Sequence, residues 1–340
     1  MAMAPPRPPN VAVLGAGSWG TTLAAIVSQT TSSVLWARSP IVANEINSRR
    51  TNPYLPGVVL PTGLRATASL EEATSDADVL ISAIPTQSVR GVLADVAPMV
   101  RPWIPVVSVS KGLEQGTHLR ITEIVAELMP GHPAGALAGP NIAVEVMAGF
   151  AAAATIAMPD ENLATRLAEL FRTSRFRLYS TTDVVGIEIA GALKNVYAIA
   201  VGMADGAGAG DNTKAMVITR AAREMSRLGE AMGGQEQTFA GLAGIGDLIV
   251  TCTSPHSRNR QVGQELGRGR AMPEILADMT QIAEGVKTAS VAIELGDKYG
   301  VRLPIACEVN AVLRGKATAR DAYRGLLRVP PGHETKGVEW

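Results

Sequence analysis

Short apolar runs bounded by turn residues recur through the first half of the chain, at residues 11–14, 34–36, 79–84, 106–109 and 151–157. Segments with helical spacing lie between them. Strands that alternate with helices predict a parallel, doubly wound sheet with right-handed crossovers and helices on both faces. A last strand-like run at 177–180 closes the series, and beyond Tyr179 the pattern changes. Ala, Met, Leu, Glu and Arg then recur at helical spacing, as in Ala221, Met225, Leu228 and Met232, which predicts an all-helical second domain. The chain divides accordingly into a loose leader at 1–9, a sheet domain at 10–184, a helical domain at 185–328 and a Pro/Gly-rich flexible tail at 329–340.

Composition narrows the picture. At 340 residues the chain exceeds the usual single-domain size, and with 46% hydrophobic residues it has material for two cores. Lys and Arg total 31, as do Asp and Glu, so no global field draws the chain to nucleic acid or an anionic membrane. Any anion site must be local. Two cysteines, Cys252 and Cys307, make no disulfide framework and no zinc spacing, which points to a reducing, cytoplasmic setting. His118, His132, His256 and His333 lie scattered without metal-ligand spacing, so no metal is expected and the proton carrier need not be histidine. No signal peptide is expected ahead of Val11. The longest apolar stretch, 134–158, is broken by Pro140, Asn141 and Glu145, and reads as buried strand and helix rather than a membrane span.

The run Val11-Ala-Val-Leu-Gly15-Ala-Gly17-Ser-Trp-Gly20 places GxGxxG directly between a strand and a helix pattern. There Gly15 makes the tight turn, Gly17 lets the backbone approach a pyrophosphate, and Gly20 allows close helix packing. That context predicts a Rossmann-like, dinucleotide-binding first domain, so the fold class is α/β with an all-helical C-terminal domain. An NAD-selective site normally carries an acid about 20 residues further on. This chain has Arg38 at the end of its second strand, a guanidinium that can take a 2′-phosphate, with a solvated surface arginine as the alternative.

Six further segments resemble bacterial NAD(P)-dependent glycerol-3-phosphate dehydrogenase in order and separation: Ser108-Val-Ser-Lys-Gly-Leu-Glu114, Gly139-Pro-Asn141, Gly191-Ala-Leu-Lys-Asn195, Gly244-Ile-Gly-Asp247, Ser257-Arg-Asn-Arg260 and Glu284-Gly285. The resemblance implies a substrate cleft between a Rossmann-like and a helical domain, and reduction of dihydroxyacetone phosphate to sn-glycerol 3-phosphate for glycerophospholipid synthesis. It implies NADPH or NADH as cofactor, a homodimer, and cofactor contacts from Gly15, Gly17, Ser18, Trp19, Gly20, Arg38, Lys111, Ala143, Arg258, Ile282 and Glu284. It further places Lys111, Gly139, Asn141, Lys194, Asp247, Ser257, Arg258 and Asn259 around the phosphorylated triose, with Lys194 as proton donor beside Lys111 and Asp247. The family usually has Ser or Thr where this chain has Asn141, and Thr251 is a weaker candidate.

The chemistry suits these residue types. A ketone needs a hydride on carbon and a proton on the developing alkoxide, and the nicotinamide supplies only the hydride. Burial and a nearby cation bring a lysine toward neutrality, so Lys194 with Lys111 meets the requirement. Lys194 lies in an otherwise apolar helix, where a charge is costly unless functional or paired, and a salt bridge to Glu188 or Asp247 is the structural alternative. The phosphate dianion wants a guanidinium near a helix start, which Ser257-Arg258-Asn259 offers, although such a run is by itself more often a cap with solvated arginines. The Gly/Ala-rich stretch 202–210 reads as a link between helices, and Met216, Met225 and Met232 as helical core. Two other readings share much of this pattern: a β-hydroxyacid dehydrogenase, whose carboxylate substrate would equally occupy Arg258, and a dinucleotide-sensing regulator without activity, which would have no use for Lys194.

Overall fold

The computed structural model describes residues 7–279 and 283–322, so Ile282, most of the leader and the tail at 329–340 lie outside the described residues. The chain forms two compact units, one of Met1–Ser110 with Ile121–Val184, the other of Lys111–Arg120 with Val185–Trp340.

The first unit is built on eight strands: β1 (Val11–Leu14), β2 (Ser33–Trp36), β3 (Arg65–Thr67), β4 (Val79–Ser82), β5 (Val106–Ser108), β6 (Ala134–Ala138), β7 (Ala152–Ala157) and β8 (Phe176–Thr181). They lie in the order β3-β2-β1-β4-β5-β6-β7-β8. β1 is central, with Val13 level with Leu35 of β2 and Ile81 of β4. Every residue of β1 and β4 is buried, as continuous apolar runs under helices on both faces require. The outer strand β8 instead exposes Arg177 and Tyr179.

One pairing departs from the all-parallel expectation: β6 and β7 run antiparallel, with Ala136 opposite Ala157. The connection between them contains only the five-residue helix Ala143–Met147. Such a helix spans about 7.5 Å, well short of a five-residue strand at roughly 16 Å, and cannot carry the chain back for a parallel return. β3 was not anticipated either, because Arg65-Ala66-Thr67 contains no apolar run.

In the second unit the 23-residue helix Val184–Gly206 forms the centre of a helical core that also takes in Val217, Ala221, Met225 and Leu228. By length and composition alone this helix could cross a membrane, but 89% of its most apolar stretch is buried inside the protein. Of the three methionines expected in the core, Met225 is fully buried and Met232 packs against the same core, whereas Met216 is half-buried and outside it. The helix Arg258–Gly267 lies unusually close to it. A Cβ on Gly202 would stand 2.2 Å from the Arg260 carbonyl oxygen, and one on Gly263 would stand 2.1 Å from that of Ile199. Residues 202–206 therefore belong to the helix, and only 207–210 link it to Asp211–Ala231.

Lys111–Arg120, which the sequence reading keeps in the sheet domain, groups with the helices. Leu113 is fully buried in the helical core. Arg120 donates to Glu188 at 2.7 Å, and both side chains are largely withdrawn from solvent. Burying an apolar anchor and a paired charge holds this loop to the unit it is not contiguous with.

Candidate active site

On the sheet unit, β1 runs straight into the glycine turn. Gly15 has φ +115°, a conformation that L side chains rarely adopt, and a Cβ there would lie 2.6 Å from the Ala83 carbonyl oxygen. Gly17 caps the helix Ser18–Val27 without a side-chain hydrogen bond, and nothing among the described residues lies within 4 Å of where its Cβ would be. Asn52 pins the turn from behind, donating to the Ala16 carbonyl at 3.0 Å and to the Thr21 hydroxyl at 2.8 Å. The result is a fixed turn ahead of a ten-residue helix whose N-terminus has no side-chain cap bond among the described residues, which fits the pyrophosphate of a dinucleotide.

Ser18 opens that helix. Trp19 packs edge-on against Phe176 at 6.1 Å, and its indole nitrogen is buried without a partner among the described residues. Arg38 follows β2 and is exposed. On the far side of the sheet, Asn141 donates to the Ala153 carbonyl at 3.0 Å, which leaves its amide oxygen buried and unpartnered among the described residues. A Cβ on Gly139 would meet the Ala154 Cα at 2.7 Å, and Ala143 packs on the sheet core.

The helical unit holds a lysine–aspartate centre. Lys194 donates to Asp247 Oδ1 at 2.5 Å and to the Thr251 hydroxyl at 2.8 Å. Lys111 donates to Asp247 Oδ2 at 2.7 Å. Asp247 and Thr251 stand one turn apart on the helix Asp247–Thr253, so both face the amine, and the Thr251 hydroxyl donates back to the Asp247 carbonyl at 2.6 Å. A π-helical turn, Leu242–Gly246, delivers Asp247, with Gly246 donating to the Gly241 carbonyl. Turns of this kind concentrate at functional sites. Sequence reading offered Glu188 or Asp247 as the partner of Lys194, and the structure selects Asp247, Glu188 being bound to Arg120.

The electrostatics follow from burial. Lys194 is only 5% exposed. Loss of water lowers its pKa, Asp247 opposes that and the Lys111 ammonium reinforces it, bringing the amine to about 7. Burial alone would raise Asp247, but the ammonium groups of Lys111 and Lys194 outweigh it and hold the carboxyl below its ordinary value. Burial pushes the neighbouring Cys252 thiol up to about 12, which leaves it inert as a nucleophile.

Beside this centre the helix Arg258–Gly267 begins. Ser257 caps it, accepting from the Arg260 amide at 3.3 Å, and Arg258 is exposed in its first turn. Arg260 is occupied by an ion pair with Asp205 at 2.5 Å and has a structural task. Asn259 is buried and bonds to Asn195 at 2.8 Å, and Glu284 accepts from the Lys111 amide at 3.3 Å. Lys111, Lys194, Asp247, Thr251, Asn259 and Glu284 thus converge on one unit, with Ser257 and Arg258 at the adjoining helix start. Gly15, Gly17, Ser18, Trp19, Gly20, Arg38, Gly139, Asn141 and Ala143 lie on the other. Asn52 is absent from the sequence reading, and Asn195, although within the Gly191–Asn195 segment, carries no expected role there. Asn195 had one signal, a second polar residue next to Lys194 in an apolar helix.

A glycine turn shaped for a dinucleotide, carried on the same chain as a buried lysine held near neutrality, defines an NAD(P)-dependent dehydrogenase. Residues 10–164 match the N-terminus of NAD-dependent glycerol-3-phosphate dehydrogenase, and residues 183–324 match its C-terminus. The glycerol-3-phosphate dehydrogenase [NAD(P)+] 1 of Mycobacterium bovis is 56% identical over 333 residues, 97% of this chain and 98% of the relative. The corresponding protein 2 of Sphingopyxis alaskensis is 51% identical over 96% of this chain and 98% of its own. The crystal structure of glycerol-3-phosphate dehydrogenase from Coxiella burnetii superposes with a TM-score of 0.91 at 32% identity, covering 95% of this chain and all of that one. The chain belongs to the NAD-dependent glycerol-3-phosphate dehydrogenase family.

Proposed function

We propose that the protein interconverts dihydroxyacetone phosphate and sn-glycerol 3-phosphate, with Lys194 as proton donor in reduction and acceptor in oxidation. The observation that carries this reading is a buried amine brought to about 7, bonded to Asp247 and Thr251. Such a group is available in both protonation states at physiological pH, as reversible chemistry at a carbonyl requires. Gly15, Gly17, Ser18 and Gly20 would hold the nicotinamide cofactor at the glycine turn, and that cofactor would supply the hydride. Lys194 gives its proton to the developing alkoxide while Asp247, shared with Lys111, keeps the site's charge balanced.

Arg258 and the start of its ten-residue helix suit a phosphate dianion, and Ser257, Asn259, Gly139 and Asn141 complete the proposed substrate set. Ala143, Lys111, Ile282 and Glu284 join Trp19 and Arg38 in the proposed cofactor set. Exposed Arg38 in place of an acid supports acceptance of NADPH beside NADH. The family resemblance supports a cytoplasmic homodimer that supplies sn-glycerol 3-phosphate to glycerophospholipid synthesis, and the balanced charge speaks against nucleic acid as partner.

Purified protein given dihydroxyacetone phosphate is expected to oxidise NADPH or NADH, followed by absorbance. Absence of turnover with both cofactors overturns the reading.

A further inference from the structure

Four polar groups tie the backbone of Lys111 into a closed circuit. Gly285 donates its amide proton to Asn259 Oδ1 at 3.0 Å. Asn259 Nδ2 donates to Asn195 Oδ1 at 2.8 Å, and Asn195 Nδ2 donates to the Lys111 carbonyl at 2.9 Å. The Lys111 amide in turn donates to the carboxylate of Glu284, the residue next to Gly285, at 3.3 Å. A backbone N–H at one end and a backbone carbonyl at the other leave each carboxamide a single orientation. Asn195 and Asn259 are 6% and 8% exposed, so water does not readily replace either bond. A Cβ on Gly285 would sit 2.5 Å from the Asn195 carbonyl oxygen and 2.9 Å from Asn259 Oδ1, so the circuit closes only around a glycine.

We propose that Asn259 is a positioning residue that fixes Lys111 through Asn195. Lys111 lies in a segment, 109–120, without regular secondary structure, and ahead of its anchors at Leu113 and Arg120 these bonds are what fix the lysine's backbone. Asn259 provides that hold from 148 residues further along the chain than Lys111, so the one Ser-Arg-Asn run carries both an exposed arginine and the brace of the lysine loop. The inference rests on the dehydrogenase reading for its kinetic consequence but not for the bonding itself. Burial lowers the Lys194 pKa most, and the charges acting on it are Asp247, which raises it, and Lys111, which lowers it. If Lys111 drifts, Lys194 loses a neighbouring cation and gains the undivided attraction of Asp247, and both changes raise its pKa.

The test compares wild type, Asn259→Ala, Lys111→Ala and the double variant in ketone reduction across pH. Asn259→Ala is expected to lower kcat about tenfold or more and to move the alkaline limb of the profile upward, as Lys111→Ala does. In the Lys111→Ala background it is expected to add less than about twofold. An equal loss in both backgrounds, or a rise in KM for the triose phosphate with an unmoved profile, overturns the proposal. Should Asn259→Ala not fold, Asn195→Ala removes the donor to the Lys111 carbonyl, together with the bond from Asn195 to the Gly191 carbonyl, and is read the same way. Amide hydrogen exchange of residues 111–120 in the full chain is expected to quicken in either variant. Unchanged exchange overturns the circuit even if the wild type proves inactive on triose phosphate, a result that would count against the dehydrogenase reading alone.

Discussion

Lys111 and Lys194 share one carboxylate, donating to opposite oxygens of Asp247 at 2.7 and 2.5 Å. Two ammonium groups on a side chain that is 1% exposed form a site with one more positive than negative charge when fully protonated. The excess is relieved by releasing a proton from the more buried lysine, which is Lys194.

Asp247→Asn removes the group that opposes this release. The Lys194 pKa is expected to fall further, so kcat for reduction at pH 7 drops by about a hundredfold and the alkaline limb moves to lower pH. An unmoved limb in a steady-state profile would detach Asp247 from the control of Lys194.

The direction of the pH dependence follows from the proton donor. With its amine at about 7, Lys194 carries the proton to be donated below that pH and is free to accept one above it. Reduction is expected to slow as pH rises through 7 and oxidation to quicken over the same interval. Lys194→Ala should cost about three orders of magnitude in kcat while nicotinamide cofactor affinity, read by fluorescence titration, stays within about twofold. Near-normal kcat would remove Lys194 from its role.

Glu224 predicts a second pH effect, on stability. It accepts from the amides of Ile305 and Ala306 at 2.8 and 3.4 Å, where the helix Pro304–Leu313 begins. Burial raises its pKa to about 7, against the pull of those amides and of Arg227. A folded value above the unfolded one, about 4.3, means the folded protein binds more protons between those limits. Its contribution is therefore fully present below about 4.3 and is lost as pH rises through 7. Glu224→Gln, which cannot titrate, should lose that slope. Melting temperatures of the two proteins from pH 5 to 8 should diverge in favour of the wild type on the acid side, and parallel curves would refute the assignment.

The contact between helices Val184–Gly206 and Arg258–Gly267 is equally exposed to test. A methyl group on Gly202 or Gly263 would lie within 2.2 Å of a carbonyl oxygen across the interface. Backbone is the obstacle, so the helices must separate. Either Gly→Ala change should cost about 1–3 kcal/mol in denaturant unfolding, although alanine favours an isolated helix by up to about 1 kcal/mol.

Local features were legible in the sequence and distant pairings were not. The glycine turn could be read because strand, turn and helix are contiguous between Val11 and Val27. Lys194 was conspicuous as a charge in an apolar helix, yet Asp247 is 53 residues away and Glu188 was nearer in sequence. Only tertiary packing decides between them. Asn195 and Asn259 are 64 residues apart, and neither has a pattern that announces a shared bond. The antiparallel β6–β7 pair stayed hidden because Ala-rich runs look alike in either direction, and strand polarity is set by the connection rather than by the strand.

The placement of Lys111–Arg120 has a practical corollary. Severing the chain between Val184 and Val185, where the fold changes class, yields a C-terminal fragment that lacks Leu113 from its interior, Arg120 from its ion pair and one of the two cations on Asp247. The two halves are distinct as architectures but interleaved as polypeptide, and domain exchange between relatives would need three splice points to carry the complete acid–base apparatus across.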